Sequence, residues 1–147
     1  MSTRNELENA LKQAMRAHDE LRKRVVRMAL SNIKQAEIDR RITLDEAGVV
    51  AVLQKEVKSR QEAIADAQKA NRPDLVDESQ AEIQILEGFL PQQLSEAELD
   101  ELARQAVAET GASSPREMGQ VMKVLMPRVQ GRAAGDQVSQ AVRKLLG

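Results

Sequence analysis

Residues 113–147 read SSPREMGQVMKVLMPRVQGRAAGDQVSQAVRKLLG, and this stretch sets the fold class. Met118, Val121, Met122 and Leu125 recur at helical spacing, as do Val138, Ala141, Val142, Leu145 and Leu146. Two short amphipathic helices are therefore expected around a glycine-containing turn. Ser114-Pro115-Arg116-Glu117 carries a cap, an N1 proline and an N3 glutamate, the strongest helix start in the chain. Between Met118 and Gly135 stand Lys123, Arg128 and Arg132 and no carboxylate.

Working outward, the rest of the 147 residues is helical by the same test. Phe89 is the one aromatic residue, so the core must be built from Leu, Ile, Val, Met and Ala, which argues against sheet. A first helix is expected from about Thr3 to Arg16, opened by a Thr3/Glu6 capping box. A second runs to about Asp39 with Leu21, Val25, Met28, Ala29, Ile33 and Ala36 inward. A third opens on a Thr43/Glu46 box and buries Val50, Leu53, Val57, Ile64 and Ala67. Asn71 suits the left-handed position that ends it. A fourth, from about Pro73 to Phe89, turns Leu75, Ser79, Ile83, Leu86 and Leu90 inward and its five carboxylates outward. Leu90-Pro91 stops it, and Ser95 with Glu98 boxes the start of a fifth that Thr110-Gly111 closes. The expectation is an all-α chain with an N-terminal helical domain of four helices (1–94) and a small C-terminal three-helix domain (95–147).

Several functions lack their residues. There is no cysteine and a single histidine, His18, so zinc sites of the cysteine/histidine kind and a Ser-His-Asp triad have no basis. Neither the P-loop nor the dinucleotide-binding glycine pattern occurs. No catalytic residue, cofactor or metal ligand is assigned. No apolar run reaches the roughly 20 residues of a membrane span, and the polar N-terminus lacks a secretory signal's apolar core, so no membrane partner and a cytoplasmic protein are expected. The carboxylates of the fourth helix read as a solvated face.

Net charge is −1, but it is uneven. Residues 16–41 carry eight basic groups against four acidic, and residues 113–147 carry six against two. Local patches decide what a surface attracts. With almost no aromatic side chain to stack bases, nucleic acid would have to be held through phosphates and shape. The candidate contacts are Lys123, Arg128, Gly131, Arg132, Gly135, Arg143 and Lys144. The glycines would let the turn approach a ligand closely, the free N–H groups at the start of the seventh helix would favour an anion, and the arginines would offer forked donors to phosphate. The competing reading gives the same cations to helix C-termini and solubility.

The order LRKRVVRMALSNIKQAEIDRR, LQKEVKSR, FLPQQLS, TGASS, MPRVQGRA resembles the GatB/YqeY family over nearly the whole chain, from about Leu21 to Leu146. The resemblance implies an all-helical chain like the tail of the B subunit of the tRNA-dependent amidotransferase, a carbon–nitrogen ligase with glutamine as amido donor. That tail is thought to contact tRNA, whereas the chemistry belongs to a separate catalytic domain missing from this sequence. It implies a free-standing, non-catalytic tRNA-binding or accessory module, with tRNA and an amidotransferase or aminoacyl-tRNA synthetase as partners. The alternative is a protein–protein interaction or scaffold module without RNA binding that docks on an amidotransferase, a synthetase or another copy of itself, where the basic second helix and acidic fourth helix could pair between chains. One position departs from the family: its Gly-Lys/Arg-Ala-Asp element often ends in aspartate, where this chain has Ala134. Alanine cannot cap the seventh helix, which costs roughly 1 kcal/mol; Asp136 is the substitute, with a shifted helix start.

Overall fold

The computed structural model describes residues 2–147. Among them are seven α-helices and no strand, so the chain is all-α as expected. It forms two compact units, Met1–Leu90 and Pro91–Gly147, each with its own apolar core.

The first unit holds α1 (Thr3–Ala17), α2 (Glu20–Arg40), α3 (Glu46–Lys69) and α4 (Pro73–Glu87). α1 packs chiefly on α2, and α3 on α4. Leu7, Val25, Val26, Ala29, Ile33, Val49, Leu53 and Leu86 form the centre of the core. Asn71 holds φ 55°, the left-handed turn expected of it, and the Arg72 N–H reaches back to the Ala67 carbonyl. α2 is rotated slightly from its expected register: Val26 is buried, while Met28 is half exposed. Leu75, expected inside, is also on the surface, at the poorly covered start of α4.

Two capping assignments change. Ser2, not Thr3, caps α1 by accepting from the Asn5 N–H, and Asp45, not Thr43, caps α3 by accepting from the Gly48 N–H. The reason is a long-range pairing that local spacing cannot show. Thr3 is buried, and both its N–H (3.1 Å) and its hydroxyl donate to the Glu46 carboxylate. Glu46 thus satisfies a donor at the start of α1 rather than one on its own helix. Nearby, Glu37 accepts from Arg4 at 2.7 Å and from the Leu44 N–H at 2.7 Å. The Leu44 hydrogen bond first, and then Arg4, hold the Glu37 carboxyl below the usual carboxylate range.

The second unit holds α5 (Glu96–Thr110), α6 (Met118–Val129) and α7 (Gly135–Leu146). Leu99, Ala103, Ala106, Val121, Leu125, Val129, Val138 and Val142 fill its core, with Met118 and Met122 packed at the edge as gap-fillers. The Ser95/Glu98 capping box forms with both of its hydrogen bonds. Ser114 makes no side-chain cap: Pro115–Glu117 is a short 3₁₀ turn that leads into α6. α6 passes through Pro127 and ends two residues later. The proline removes the i→i−4 hydrogen bond that would otherwise reach the Lys123 carbonyl.

Candidate nucleic-acid interface

The turn between α6 and α7 is built by its backbone. Gln130 and Gly131 both have positive φ, 48° and 76°, which reverses the chain after Val129. A side chain is disfavoured at Gly131 by that angle. Gly135 has no such need. It is the first residue of α7, and a Cβ there would meet nothing within 4 Å. Its expected role in tightening the turn is therefore withdrawn.

The turn is clasped by the segment just before α5. The Leu94 N–H donates to the Arg132 carbonyl at 2.7 Å, Arg132 Nε donates to the Gln92 carbonyl at 3.1 Å, and Gln93 Nε2 donates to the Gly131 carbonyl at 3.1 Å. Arg132 is therefore half-buried and engaged on the protein. Its charge also contributes to holding Glu98 below the usual carboxylate range, after the Ser95 N–H and Ser95 hydroxyl.

The start of α7 is likewise already served. Ala134 occupies the cap position without a side-chain acceptor, as expected of alanine. The helix start does not shift. Gln137 Oε1 accepts from the Ala134 N–H at 3.2 Å, and Asp136 Oδ1 accepts from the Gln137 N–H at 3.0 Å. An anion at this end would have to compete with the Asp136 carboxylate, so the N–H groups of α7 are not the free anion site expected of them.

The remaining candidate cations fall into two groups. Arg128 pairs with Glu109 on α5, and Lys144 pairs with Glu96 at 3.5 Å. Lys123 and Arg143 are exposed, on α6 and α7, and neither has an ion-pair or side-chain hydrogen-bond partner among the described residues. Arg116, on the 3₁₀ turn, is exposed in the same condition and was absent from the candidate set. Exposed pairs such as Arg128–Glu109 contribute only about 0–1 kcal/mol. Exchanging carboxylate for phosphate on Arg128 and Lys144 is therefore inexpensive, whereas Arg132 would have to release the turn.

Sequence reasoning also missed a charged cluster in the first unit. Asn32 Nδ2 donates to Glu56 Oε1, Arg60 Nε donates to Glu82 Oε2 at 2.6 Å, and Arg24 reaches Glu78 at 3.2 Å and Glu82 at 3.4 Å. Glu56 is 6% exposed, and its Oε2 has no hydrogen-bond donor; Arg60 Nη1 lies 3.7 Å away. Burial, the largest influence, raises the Glu56 carboxyl above its usual range against the pull of Asn32 and Arg60. The α4 carboxylates are thus not all solvated: Glu82 is largely covered and held by two arginines. Arg24 of α2 meets Glu78 and Glu82 of α4 within the chain, so these three charges are already engaged with one another. One signal was available. Glu56 falls in line with Val49, Leu53 and Val57, four residues before Arg60, so an inward carboxylate with a paired arginine was readable from spacing.

Comparison with known families gives a match to the family described as Yqey-like protein, across residues 4–146. The chain belongs to this family. Relatives named "Altered inheritance of mitochondria protein 41, mitochondrial" occur in several fungi. That of Lachancea thermotolerans is 38% identical over 112 residues, covering 74% of this chain and 60% of the relative. That of Pyrenophora tritici-repentis is 28% identical over 144 residues, covering 96% of this chain and 79% of the relative. That of Kluyveromyces lactis is 43% identical over 84 residues, covering 56% of this chain and 45% of the relative. The chain thus spans 60% of the Lachancea protein's length. These names correct the cytoplasmic expectation, since they place the family members concerned in mitochondria. A polar N-terminus had excluded only a secretory signal, which does not discriminate between those two compartments.

Proposed function

We propose that this member of the family is a non-catalytic tRNA-binding accessory module, and that its second unit contacts the phosphate backbone through Lys123 and Arg143. Arg116 extends the contact, and Arg128 and Lys144 join it by exchanging their carboxylate partners for phosphate. The observation that carries this reading is that Lys123 on α6 and Arg143 on α7 are exposed and unpartnered, in the same unit as the weakly held Arg128 and Lys144. The second unit has seven basic and seven acidic side chains, so attraction depends on this local arrangement and not on net charge. The resemblance to an amidotransferase tail makes tRNA the RNA to test first. It also makes a tRNA-dependent amidotransferase or an aminoacyl-tRNA synthetase the protein partner to test.

Fluorescence anisotropy of labelled tRNA against the full chain checks the assignment. Binding should weaken with salt, with a log–log slope of about −0.7 to −0.9 per phosphate neutralised. Lys123→Ala with Arg143→Ala should lower the magnitude of that slope by about two phosphates' worth. Unchanged affinity and slope in the double variant would remove these residues from the interface.

A further inference from the structure

We propose that the outer face of α2 is a second RNA-backbone docking surface, formed by Arg27, Lys34 and Arg41. α2 turns Val25, Val26, Ala29 and Ile33 into the core. On a helix of 3.6 residues per turn, Glu20, Arg24, Arg27, Ser31, Lys34 and Ile38 lie on the side away from that stripe, and all are exposed, as is Arg41 at the C-cap. Arg27 and Lys34 are seven residues apart, which sets them about 10.5 Å apart along the helix, and Arg41 stands just beyond as its left-handed C-cap.

None of the three has an ion-pair or side-chain hydrogen-bond partner among the described residues. Acidic groups are close in sequence or space, yet all are engaged elsewhere. Glu37 is held by Arg4 and the Leu44 N–H, Asp39 accepts from Gln35, and Glu78 and Glu82 are taken by Arg24 and Arg60. Glu20, at the far end of the same face, is matched by Lys23. Gln35 is neutral and Asp39 keeps its charge, so Arg27, Lys34 and Arg41 are unpaired cations with one uncompensated carboxylate, Asp39, toward the C-terminal end.

The form of that set selects the occupant. The apolar stripe of α2 is spent on the core, which leaves Met28, Ile38 and Ile42 as the large apolar side chains exposed on or just after the helix; a membrane surface would need a broader apolar face. No aromatic residue lies there to stack unpaired bases, and Phe89 sits beneath the Arg22 guanidinium at 5.3 Å. Unpaired cations on a rigid rod suit a structured RNA contacted through its phosphates. The ligand class rests on the tRNA reading above, but the residues and the unit are different.

The test uses the full chain and labelled bulk tRNA, titrated between about 50 and 200 mM salt. The variant is Arg27→Gln, Lys34→Gln and Arg41→Gly; Arg41 holds φ 55°, so glycine suits its backbone. Circular dichroism should show an unchanged helical signal. The magnitude of the salt slope should drop by about two to three, and affinity should fall roughly tenfold to a hundredfold. Unchanged affinity and slope overturn the proposal, and so does transfer of the wild-type protein to phosphatidylglycerol vesicles in preference to tRNA. If the three-site variant perturbs the helix, Arg27→Gln with Lys34→Gln alone must still lower the slope by about two. Loss of binding in the α2 variant with none in Lys123→Ala/Arg143→Ala sinks the second-unit reading and leaves this one standing. The reverse pattern does the opposite, and a wild type that ignores tRNA overturns both.

Discussion

Replacing Arg60 by Met should expose how the charged cluster of the first unit is balanced. Arg60 is 11% exposed at its side chain and lies between Glu56 (7%) and Glu82 (17%). Breaking a buried pair by removing one partner typically costs about 3–5 kcal/mol, because a charge is left buried without compensation. Glu82 keeps Arg24 at 3.4 Å, and Glu56 keeps Asn32, so the lower figure applies, about 3 kcal/mol. With a urea m-value of about 2 kcal/mol/M, the midpoint should fall by about 1.5 M. The loss should depend on pH. Glu56 has its carboxyl raised in the folded chain, so folding favours its protonated form. Stability from this group is fullest below its unfolded value near 4.5 and declines as pH rises through the folded value. The variant should therefore lie closer to wild type at acid pH than at neutral pH, and adding Glu56→Gln should recover most of the neutral-pH loss. The assay is urea unfolding followed by circular dichroism, with hydrogen exchange assigning the transition to residues 1–90. The chain has no Trp or Tyr to report by fluorescence. A cost below about 1 kcal/mol, or no recovery with Glu56→Gln, would refute the cluster as a buried, mutually dependent set.

Two further outcomes follow from the geometry. Glu37 has the opposite sign from Glu56: its carboxyl is lowered by the Leu44 N–H and Arg4, so its stabilisation is present above about 4.5 and is lost as pH falls through the folded value. Glu37→Gln should be less stable than wild type at neutral pH and converge with it in acid, which parallel urea midpoints would show; a constant difference would contradict the assignment. Gly131→Ala should destabilise the second unit by about 1–2 kcal/mol because of its positive φ, while Gly135→Ala should be neutral or slightly stabilising. Thermal unfolding of the two variants separates a turn that needs one glycine from one that needs both.

The sequence revealed much of what depended on neighbours three or four residues away, although the Ser114 cap does not form and Leu75 is exposed. Helical periodicity placed Ala29, Ile33, Leu53, Val121 and Val142 inside, and all are buried. The Ser95/Glu98 box and the left-handed Asn71 are similarly local. Contacts across long separations were not legible. Glu46 looked like half of a local box and instead serves Thr3, 43 residues away. Arg128, Lys144 and Arg132 looked equally available, yet their partners lie 19, 48 and 40 residues distant, on other parts of the second unit. The turn's charge count could be read from the chain, but not which charges the fold had already used. Lys123 and Arg143 emerge as the unpartnered pair only once α5 is in place.

RNA binding by the family member is tested most directly by measuring labelled tRNA against the full wild-type chain at low and moderate salt. Saturable binding is expected, weakening between about 50 and 200 mM salt with a slope that Lys123→Ala/Arg143→Ala reduces. A wild-type chain that leaves tRNA anisotropy unchanged at low salt would contradict it.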